Sequence, residues 1–249
     1  EREDYRGVIL RKRLDRSVRR LNPDLPDAGV EAAVKGFERV ASEPRLIFAN
    51  KEAYEFITHG ITVEYRNSNG QQKAYLAKLI DFDDFANNEF LAVNQYSVEG
   101  ADGVRRPDIV VFVNGIPLAV FELKNPTSIH ATADAAIMQF DGYKSAIPAL
   151  FAYNQVLVVS DGQTFTKHGT ISSAPEWFAE WRLVEDEREE RDDATLAVLV
   201  RGMFRKERFL DIVRNFIVFE ADSVQDASTF TKKMCKYHQY YGVLRAVER

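Results

Sequence analysis

The sequence predicts an α/β fold in which a mixed β-sheet carries helices on its faces. Three observations indicate this fold. Apolar residues recur with helical spacing before Gly60 and alternate with a period of two after it. Two apolar stretches flank Asn114-Gly115, a dipeptide that favours a tight β-hairpin turn. A helical stretch then separates this hairpin from another apolar strand, and such a connection allows one parallel crossover in an otherwise antiparallel sheet.

The first 60 residues predict three helices. An apolar stripe runs from Leu10 to Leu21 with Arg and Lys opposite it, and "NPDLPD" then breaks the helix. Two more segments with the same period follow, and the second ends near Gly60. The predicted helices span residues 8–21, 27–41 and 44–58.

The middle of the chain predicts strands and its last part predicts helices. The strand signals are period-two alternation, β-branched and aromatic residues, and the turn signal "NSNG". The predicted strands are "ITVEYR", "QKAYLAKLIDF", "NEFLAVNQYSVE", two within residues 105–126, "VLVVSDG" and "TFTKHG". The predicted later helices are residues 131–147, the short stretch "APEWFAEW", and residues 195–215 and 224–248.

An acidic run divides the chain. Residues 185–193, "EDEREERDD", carry seven acidic and two basic side chains, and we interpret them as a linker. The predicted organisation is a domain over residues 1–184, the linker over 185–193 and a helical segment over 194–249. Because the chain starts at Glu1 without Met and stops without a capping signal, we interpret it as a fragment of a longer protein.

The composition is that of a core-forming protein, with 249 residues of which 45% are hydrophobic and 12% aromatic. No apolar run approaches the roughly 18 residues of a membrane span, so no membrane partner is expected. The single cysteine, Cys235, excludes an internal disulfide framework and is typical of a reducing cytoplasm.

The net charge of −5 argues against a protein that simply coats nucleic acid. Basic residues are nevertheless clustered: residues 1–20 carry eight basic and four acidic side chains, and residues 201–214 carry five and two. A local basic patch is what binding to phosphate requires, so the charge does not exclude a nuclease. Each cluster taken alone is more typical of a solvated helix face.

The hairpin "RRPDIVVFVNGIPLAVFELKNP" carries charges at both strand ends. Side chains alternate along a strand, so Glu122 and Lys124 point the same way. A two-residue turn at Asn-Gly would pair Pro107 with Glu122 and would put Asp108 on the opposite face. If Asp108 shares a site with Glu122, the turn must have an odd loop or a strand must contain a bulge.

The three charged residues of this hairpin suit phosphodiester hydrolysis. Adjacent carboxylates repel each other unless a cation lies between them, and oxygen ligands favour magnesium or manganese over zinc. We expect Asp108, Glu122 and the backbone carbonyl of Leu123 to hold Mg²⁺ or Mn²⁺. Such an ion would polarise the phosphate and lower the pKa of an attacking water. Lys124 could orient that water or stabilise the pentacovalent phosphate.

An acid followed at a distance by Glu-x-Lys is a weak pattern by itself. Its context is more informative, because among twelve lysines only Lys124 has an acid two positions before it. Lys124 also ends an apolar strand that a turn connects to the strand of Asp108. The alternative interpretation is structural, with charges that only mark where the strands reach water.

This hairpin resembles the core of the PD-(D/E)xK nucleases, in particular the N-terminal nuclease domain of the restriction (R) subunit of type I restriction-modification enzymes. The stretches "RLNPDLP", "NEFLAVNQYSVEG", "PALFAYNQVLVVSDG" and "DIVRNFIVF" extend the resemblance over most of the chain. The resemblance implies a restriction-endonuclease-like mixed β-sheet flanked by helices. It further implies a following helical segment that leads into a helicase-like motor domain.

The resemblance also implies roles for single residues. Asp108 of "RPD" and Glu122 of "ELK" would bind the metal, and Lys124 would be the catalytic lysine. A Q-x-x-x-Y element of the family matches Gln139 and Tyr143. These two residues lie on one helix face, from which both would reach toward the metal site and the DNA backbone.

Four more residues fit the family pattern without a settled role. An acid on an early helix often assists the metal in this family; either Glu52 or Glu55 could serve, or the acid could precede Glu1. Asn94 and Gln95 could support the hairpin, or they could satisfy backbone groups at a strand edge.

The stretch "KYHQYYGVLRAVER" resembles the adenine-reading Q motif that opens the first motor domain. Gln239 would then contact the adenine of ATP, although a plain surface role also fits it. The chain has no G-x-x-x-x-G-K-[ST] phosphate loop, so we expect no ATP hydrolysis from these residues alone.

The resemblance predicts a metal-dependent endonuclease module of a type I R subunit, which would cut double-stranded DNA once ATP-driven translocation stalls. Its partners would be DNA and the modification (methyltransferase) and specificity subunits, and the module alone would cut weakly or not at all. Two alternatives stay open: a non-catalytic module that docks or positions DNA, and a repair nuclease of the same superfamily.

Overall fold

The computed structural model describes residues 2, 4–66, 69–127, 132–185, 194–221 and 229–247. Within these ranges the α-helices are α1 (Arg11–Leu21), α2 (Asp27–Glu38), α3 (Leu46–His59), α4 (Ala133–Ala146), α5 (Pro148–Tyr153), α6 (Thr195–Gly202), α7 (Lys206–Asn215) and α8 (Tyr237–Val247). The strands are β1 (Ile61–Arg66), β2 (Gln72–Ala77), β3 (Phe90–Asn94), β4 (Val98–Gly100), β5 (Gly103–Arg105), β6 (Ile109–Val113), β7 (Ile116–Leu123), β8 (Val156–Ser160), β9 (Thr166–Gly169), β10 (Ala179–Glu180), β11 (Ile217–Ala221) and β12 (Phe230–Met234).

A six-stranded sheet with the order β10-β9-β8-β7-β6-β3 forms the centre of the molecule. Strands β7 and β8 are parallel, and every other neighbouring pair in this sheet is antiparallel. Helices α4 and α5 form the crossover between the two parallel strands. The predicted mixed sheet with helices on its faces is therefore confirmed.

The middle strands are apolar on both faces because both faces are covered. Residues 116–122 of β7 and all residues of β8 are buried. Helix α5 packs on β7 and helix α4 packs on β8. A strand that is buried on both faces has a continuous apolar sequence, and the sequence "IPLAVF" accordingly shows no alternation.

The hairpin turn between β6 and β7 is held from outside the sheet. Asn114 is fully buried, and its amide group donates to the Leu79 carbonyl at 2.9 Å and accepts from the Glu89 amide at 2.9 Å. The Leu10 amide, just before α1, donates to the Gly115 carbonyl at 2.9 Å. The start of α1 thus fixes the closed end of the hairpin.

Two of the predicted strands are shorter than expected. Strand β2 ends at Ala77, because the Lys78 amide donates to the Asn22 side chain instead of to a strand. The predicted strand over residues 88–99 is divided into β3 and β4 at Gln95, whose φ of 51° interrupts extended backbone. The first interruption comes from a side chain distant in sequence and the second from a local turn. Period-two alternation predicts neither of them.

Three of the predicted helices are wrong in part. The stretch 174–181 forms a 3₁₀ turn (Pro175–Trp177) followed by β10, which pairs with β9. The predicted helix over 195–215 is two helices, because Gly202 packs against the Leu183 carbonyl and the chain turns there. The predicted helix over 224–248 contains β12 and then α8, and β11 precedes it. Helix α5 was not predicted.

One continuous apolar core runs from Val8 near the N-terminus to Tyr241 in α8. Trp181 contacts Tyr240 at a ring-centroid distance of 5.8 Å, so the segment after the acidic run packs on the segment before it. Of the predicted linker 185–193, only Glu185 lies within the described residues. In the described ranges, no helix is long and apolar enough to cross a membrane.

Candidate active site

A β-bulge at Leu118 brings Asp108 opposite Glu122. The turn has two residues, with Val113 paired to Ile116 and Phe112 to Pro117. The register then shifts, because Val111 pairs with Ala119, and the strands continue to the pair Ile109 and Phe121. One residue farther along, Asp108 faces Glu122, and cross-strand partners share a face of the sheet. Of the two conditions that the sequence set, the bulge is the one that is met.

Asp108 is held by two hydrogen bonds at the open end of the hairpin. Its Oδ2 accepts from the Leu123 backbone amide at 2.7 Å, and its Oδ1 accepts from Gln95 Nε2 at 2.9 Å. The Gln95 backbone N–H also donates to the Asp108 backbone carbonyl at 2.7 Å. The carboxylate therefore has a fixed orientation between β3 and the end of β7.

Glu122 is buried, with 4% of its surface exposed. Burial raises the pKa of its carboxyl group, and the neighbouring Asp108 raises it further, while Lys124 opposes both effects. Glu122 Oε1 accepts from Lys124 Nζ at 3.1 Å. Glu122 Oε2 is buried and accepts no hydrogen bond of good geometry from the described residues. The nearby Tyr143 hydroxyl also lowers the pKa of the Glu122 carboxyl group.

Lys124 and the helix α4 residues form one hydrogen-bonded chain. Lys124 Nζ donates to Gln139 Oε1 as well as to Glu122, and Gln139 Nε2 donates to the Tyr143 hydroxyl at 2.7 Å. The Lys124 backbone amide donates to the Ser160 carbonyl of β8 at 2.8 Å. The structure thus places Lys124 between Glu122 and Gln139.

Helix α4 presents this pair because its opposite face is in the core. Thr132 caps the helix by accepting from the Ala135 amide at 3.2 Å. Ile137 and Phe140 are buried beneath the sheet. Gln139 and Tyr143 lie one helical turn apart, so both reach the end of β7.

The early acids do not join the carboxylate pair. Glu52 and Glu55 are exposed on α3, and Glu55 forms an ion pair with Lys51. Among the residues that the structure describes, no group of three or more His, Cys, Asp or Glu side chains could hold a metal ion. Helix α3 packs on α5, and no contact of Glu52 or Glu55 with Asp108 or Glu122 is seen among the described residues, so a role of either acid in the site stays a prediction.

Gln239 lies on α8, far along the chain from this site, and its side chain serves as a helix cap. Its Oε1 accepts from the Lys236 backbone amide at 2.8 Å, one turn earlier. The residue also lines a cavity of about 490 Å³ between β9, Trp177 and the β11–β12 hairpin.

Gln95 is the site residue whose role the sequence left undecided. Gln95 and the neighbouring Asn94 are both exposed, and the Gln95 side chain contacts the Asp108 carboxylate directly. The signal for this role is positional: Gln95 directly follows β3, whose antiparallel pairing with β6 brings the end of β3 beside Asp108.

Replacing Glu122 by Gln is expected to stabilise the metal-free protein at neutral pH, by on the order of 1 kcal/mol. Because the folded-state pKa is raised, ionisation of Glu122 costs stability as pH rises through the ordinary value of 4.5 and then the folded value. The gain should therefore vanish below pH 4.5. Urea unfolding with a chelator at both pH values measures it, and Glu176→Gln, at an exposed carboxylate, is the matched control. Equal stability of the Glu122→Gln variant and the wild type at neutral pH would contradict the expected free-energy cost of ionising buried Glu122.

A family model described as the type I restriction enzyme R protein N terminus matches residues 1–175. The chain belongs to this family. The HindI endonuclease subunit of a type I restriction enzyme from Haemophilus influenzae is 40% identical over 99% of this chain. A putative type I restriction enzyme MjaIXP endonuclease subunit from Methanocaldococcus jannaschii is 34% identical over all of it.

The family membership predicted from the hairpin is thereby confirmed. The chain covers 23% of the Haemophilus subunit and 25% of the Methanocaldococcus subunit. It therefore spans about a quarter of the length of these curated relatives. Their names support a nuclease role for the family in restriction.

Proposed function

We propose that this chain is the metal-dependent endonuclease module of a type I R subunit and cuts double-stranded DNA. The observation that carries the proposal is the bulge at Leu118, which makes Asp108 face Glu122 beside Lys124. A hairpin whose charges only reached water would not need that irregularity. Burial of Glu122 also distinguishes it from an ordinary charge at a strand end.

The residues present fit a hard divalent cation. Two carboxylates share one face, and Glu122 Oε2 is a buried oxygen without a well-formed hydrogen bond from the described residues. Oxygen donors of this kind favour Mg²⁺ or Mn²⁺. Asp108, Glu122 and the backbone carbonyl of Leu123 would be the protein ligands, and water would supply the remaining ones.

The chain's own residues would orient the reaction. A bound divalent cation would supply Lewis acidity and a more acidic water. Lys124 Nζ would stabilise negative charge that develops on the phosphate. Gln139 would hold the ammonium group of Lys124 in place, and Tyr143 would fix Gln139 in turn and approach the DNA backbone. Gln95 would keep the Asp108 carboxylate in its orientation.

Weak DNA binding by this module alone fits its charge distribution. Several arginines of the basic N-terminal segment are already paired, with Arg11 bound to Glu31 and Glu38 and Arg13 bound to Glu89. Arginines that are already paired with carboxylates neutralise fewer phosphates, so fewer counterions leave the DNA when the protein binds. We propose that DNA is delivered by an ATP-driven motor elsewhere in the R subunit, within a cytoplasmic complex with modification and specificity subunits.

The prediction that this chain binds a nucleotide rests on Gln239 alone. One of its two polar atoms is used for capping α8, so an adenine contact through both atoms would require the cap to open. ATP therefore stays a prediction for the longer protein.

Manganese binding to the chain tests the proposed function directly. Isothermal titration with Mn²⁺ should detect binding by the wild type and a loss of at least about tenfold in affinity in Asp108→Ala, because a first ligand is removed. Glu176→Gln, at an exposed carboxylate, should bind like the wild type. A non-catalytic module that docks or positions DNA predicts no difference between Asp108→Ala and the wild type, and that result would reject the proposal.

A further inference from the structure

Lys232 is a buried lysine in the hairpin formed by β11 and β12. It is 1% exposed and is the one buried residue of β12. Its Nζ lies 5.4 Å from the ring centroid of Phe219, its cross-strand partner in β11, and forms hydrogen bonds to residues outside the hairpin. None of the catalytic roles proposed above uses this residue.

Three neutral acceptors surround the ammonium group. Nζ donates to Asn50 Oδ1 at 2.8 Å, to the Asn154 carbonyl at 3.0 Å and to Gln155 Oε1 at 2.6 Å. These three acceptors match the three donors of a charged lysine. Burial lowers the pKa of Lys232 well below its ordinary value, so the charged form depends on them.

The backbone of Lys232 is also bound to the central domain. Its carbonyl accepts from Thr170 Oγ1 at 2.7 Å, and its amide donates to Ser172 Oγ at 3.1 Å. These two bonds already dock the hairpin. A buried cation is a costly addition for docking alone, since its desolvation is offset only by neutral groups.

The acceptors of Lys232 lead to the bulge that forms the carboxylate pair. The Gln155 amide donates to the Leu118 carbonyl at 2.7 Å, and Asn154 Nδ2 approaches the same oxygen at 3.3 Å. Leu118 is the residue of β7 that the pairing with β6 skips. The backbone segment that Lys232 binds is therefore the one that holds the bulge.

Asn50 closes the same network from α3. Its Nδ2 donates to the Asn154 carbonyl at 2.6 Å, the oxygen that also accepts from Lys232. Asn50, Asn154 and Gln155 are all fully buried. Because water does not reach these groups, loss of the Lys232 donor would leave Asn50 Oδ1 and Gln155 Oε1 unsatisfied, whereas the Asn154 carbonyl would keep its bond from Asn50.

We propose that Lys232 is a positioning residue for the carboxylate pair. It couples docking of the β11–β12 hairpin, through Asn154 and Gln155, to the bulge at Leu118 that sets Asp108 opposite Glu122. An effect of Lys232 on catalysis rests on the proposed nuclease function, whereas the coupling between the hairpin and the bulge does not. A partner or a motor that moved this hairpin would change the geometry of the carboxylates without touching them.

Hydrogen exchange in the 249-residue chain tests the coupling. In Lys232→Met, the amides of Gln155 and Leu123 should exchange about tenfold faster than in the wild type, relative to amides of α2 that report global unfolding. Thr170→Val is the matched control, because it removes a docking bond to the Lys232 carbonyl and leaves the ammonium contacts. The same two amides should stay within about twofold of the wild type in this control.

Unchanged exchange of the Leu123 amide in Lys232→Met would overturn the proposal, as would equal acceleration in Thr170→Val. If Lys232→Met does not fold, Gln155→Met removes one acceptor and keeps the amide bond to Leu118, and the same acceleration is expected at Leu123. Where the wild type binds Mn²⁺, Lys232→Met should weaken that binding about tenfold. A wild type that binds no Mn²⁺ would reject the nuclease proposal, and the exchange rates would still decide the coupling.

Discussion

Asp108→Ala and Lys124→Ala should each abolish plasmid cleavage by the assembled restriction enzyme while ATP hydrolysis continues. We expect a loss of about 10³-fold or more in cleavage rate for each variant, since Asp108→Ala removes a proposed metal ligand and Lys124→Ala removes the cation that would stabilise the developing charge. ATP hydrolysis should be retained because neither side chain belongs to α8, which carries Gln239. The two activities would then be separable.

The measurement is nicking of supercoiled plasmid by the intact R subunit in its complex, with ATP and magnesium, and with ATP hydrolysis recorded in the same samples. Glu176→Gln is a suitable control, because Glu176 is exposed and is not part of the carboxylate pair. If both variants still cut, Asp108 and Lys124 are only charges at strand ends. A strict need for DNA ends or branched DNA in the wild type would instead favour a repair nuclease.

Gly115→Ala should destabilise the protein by about 3 kcal/mol. Gly115 has φ of +83°, where a residue with a side chain costs roughly 1–2 kcal/mol. A Cβ there would lie 2.6 Å from the Leu10 carbonyl oxygen and 2.9 Å from the Leu14 amide nitrogen. Both contacts are backbone atoms at the start of α1, so relief requires the helix to move, at a further cost of about 1–3 kcal/mol.

Gly162→Ala provides the matched control for this prediction. Gly162 has nearly the same φ, +84°, but a Cβ there meets no atom within 4 Å. Its replacement should cost only the conformational part, about 1 kcal/mol. Urea unfolding of both variants gives the difference. Equal costs would show that α1 shifts freely over the hairpin turn, against the hydrogen bond between Leu10 and Gly115.

The local signals of the sequence are accurate where the local chain decides the structure. Asn114 and Gly115 both have positive φ, as the tight hairpin turn requires, and the dipeptide alone predicted it. The spacing of Glu122 and Lys124 put them on one face, and the structure brings their side chains together. The i and i+4 spacing of Gln139 and Tyr143 likewise put them on one helix face, and the structure shows their side chains in contact.

Long-range contacts decided the elements that were predicted wrongly. Residues 230–234 form a strand only because β11 pairs with them, and the sequence "FTKKM" carries no signal for its distant partner. It also has two adjacent lysines, of which Lys232 is buried and Lys233 is exposed. Which of the two enters the core depends on the acceptors offered by Asn50 and Gln155, far away in sequence.

The sequence by itself determined the hairpin, its turn, the identity of its charged residues and the mixed α/β architecture. It could state only as a condition that a bulge or an odd loop would let Asp108 face Glu122. The tertiary structure decided that condition, because the Leu118 carbonyl is held by donors from the turn before β8 instead of by β6. Strand register depends on such contacts between distant segments, whereas turns and side-chain alternation depend on neighbouring residues.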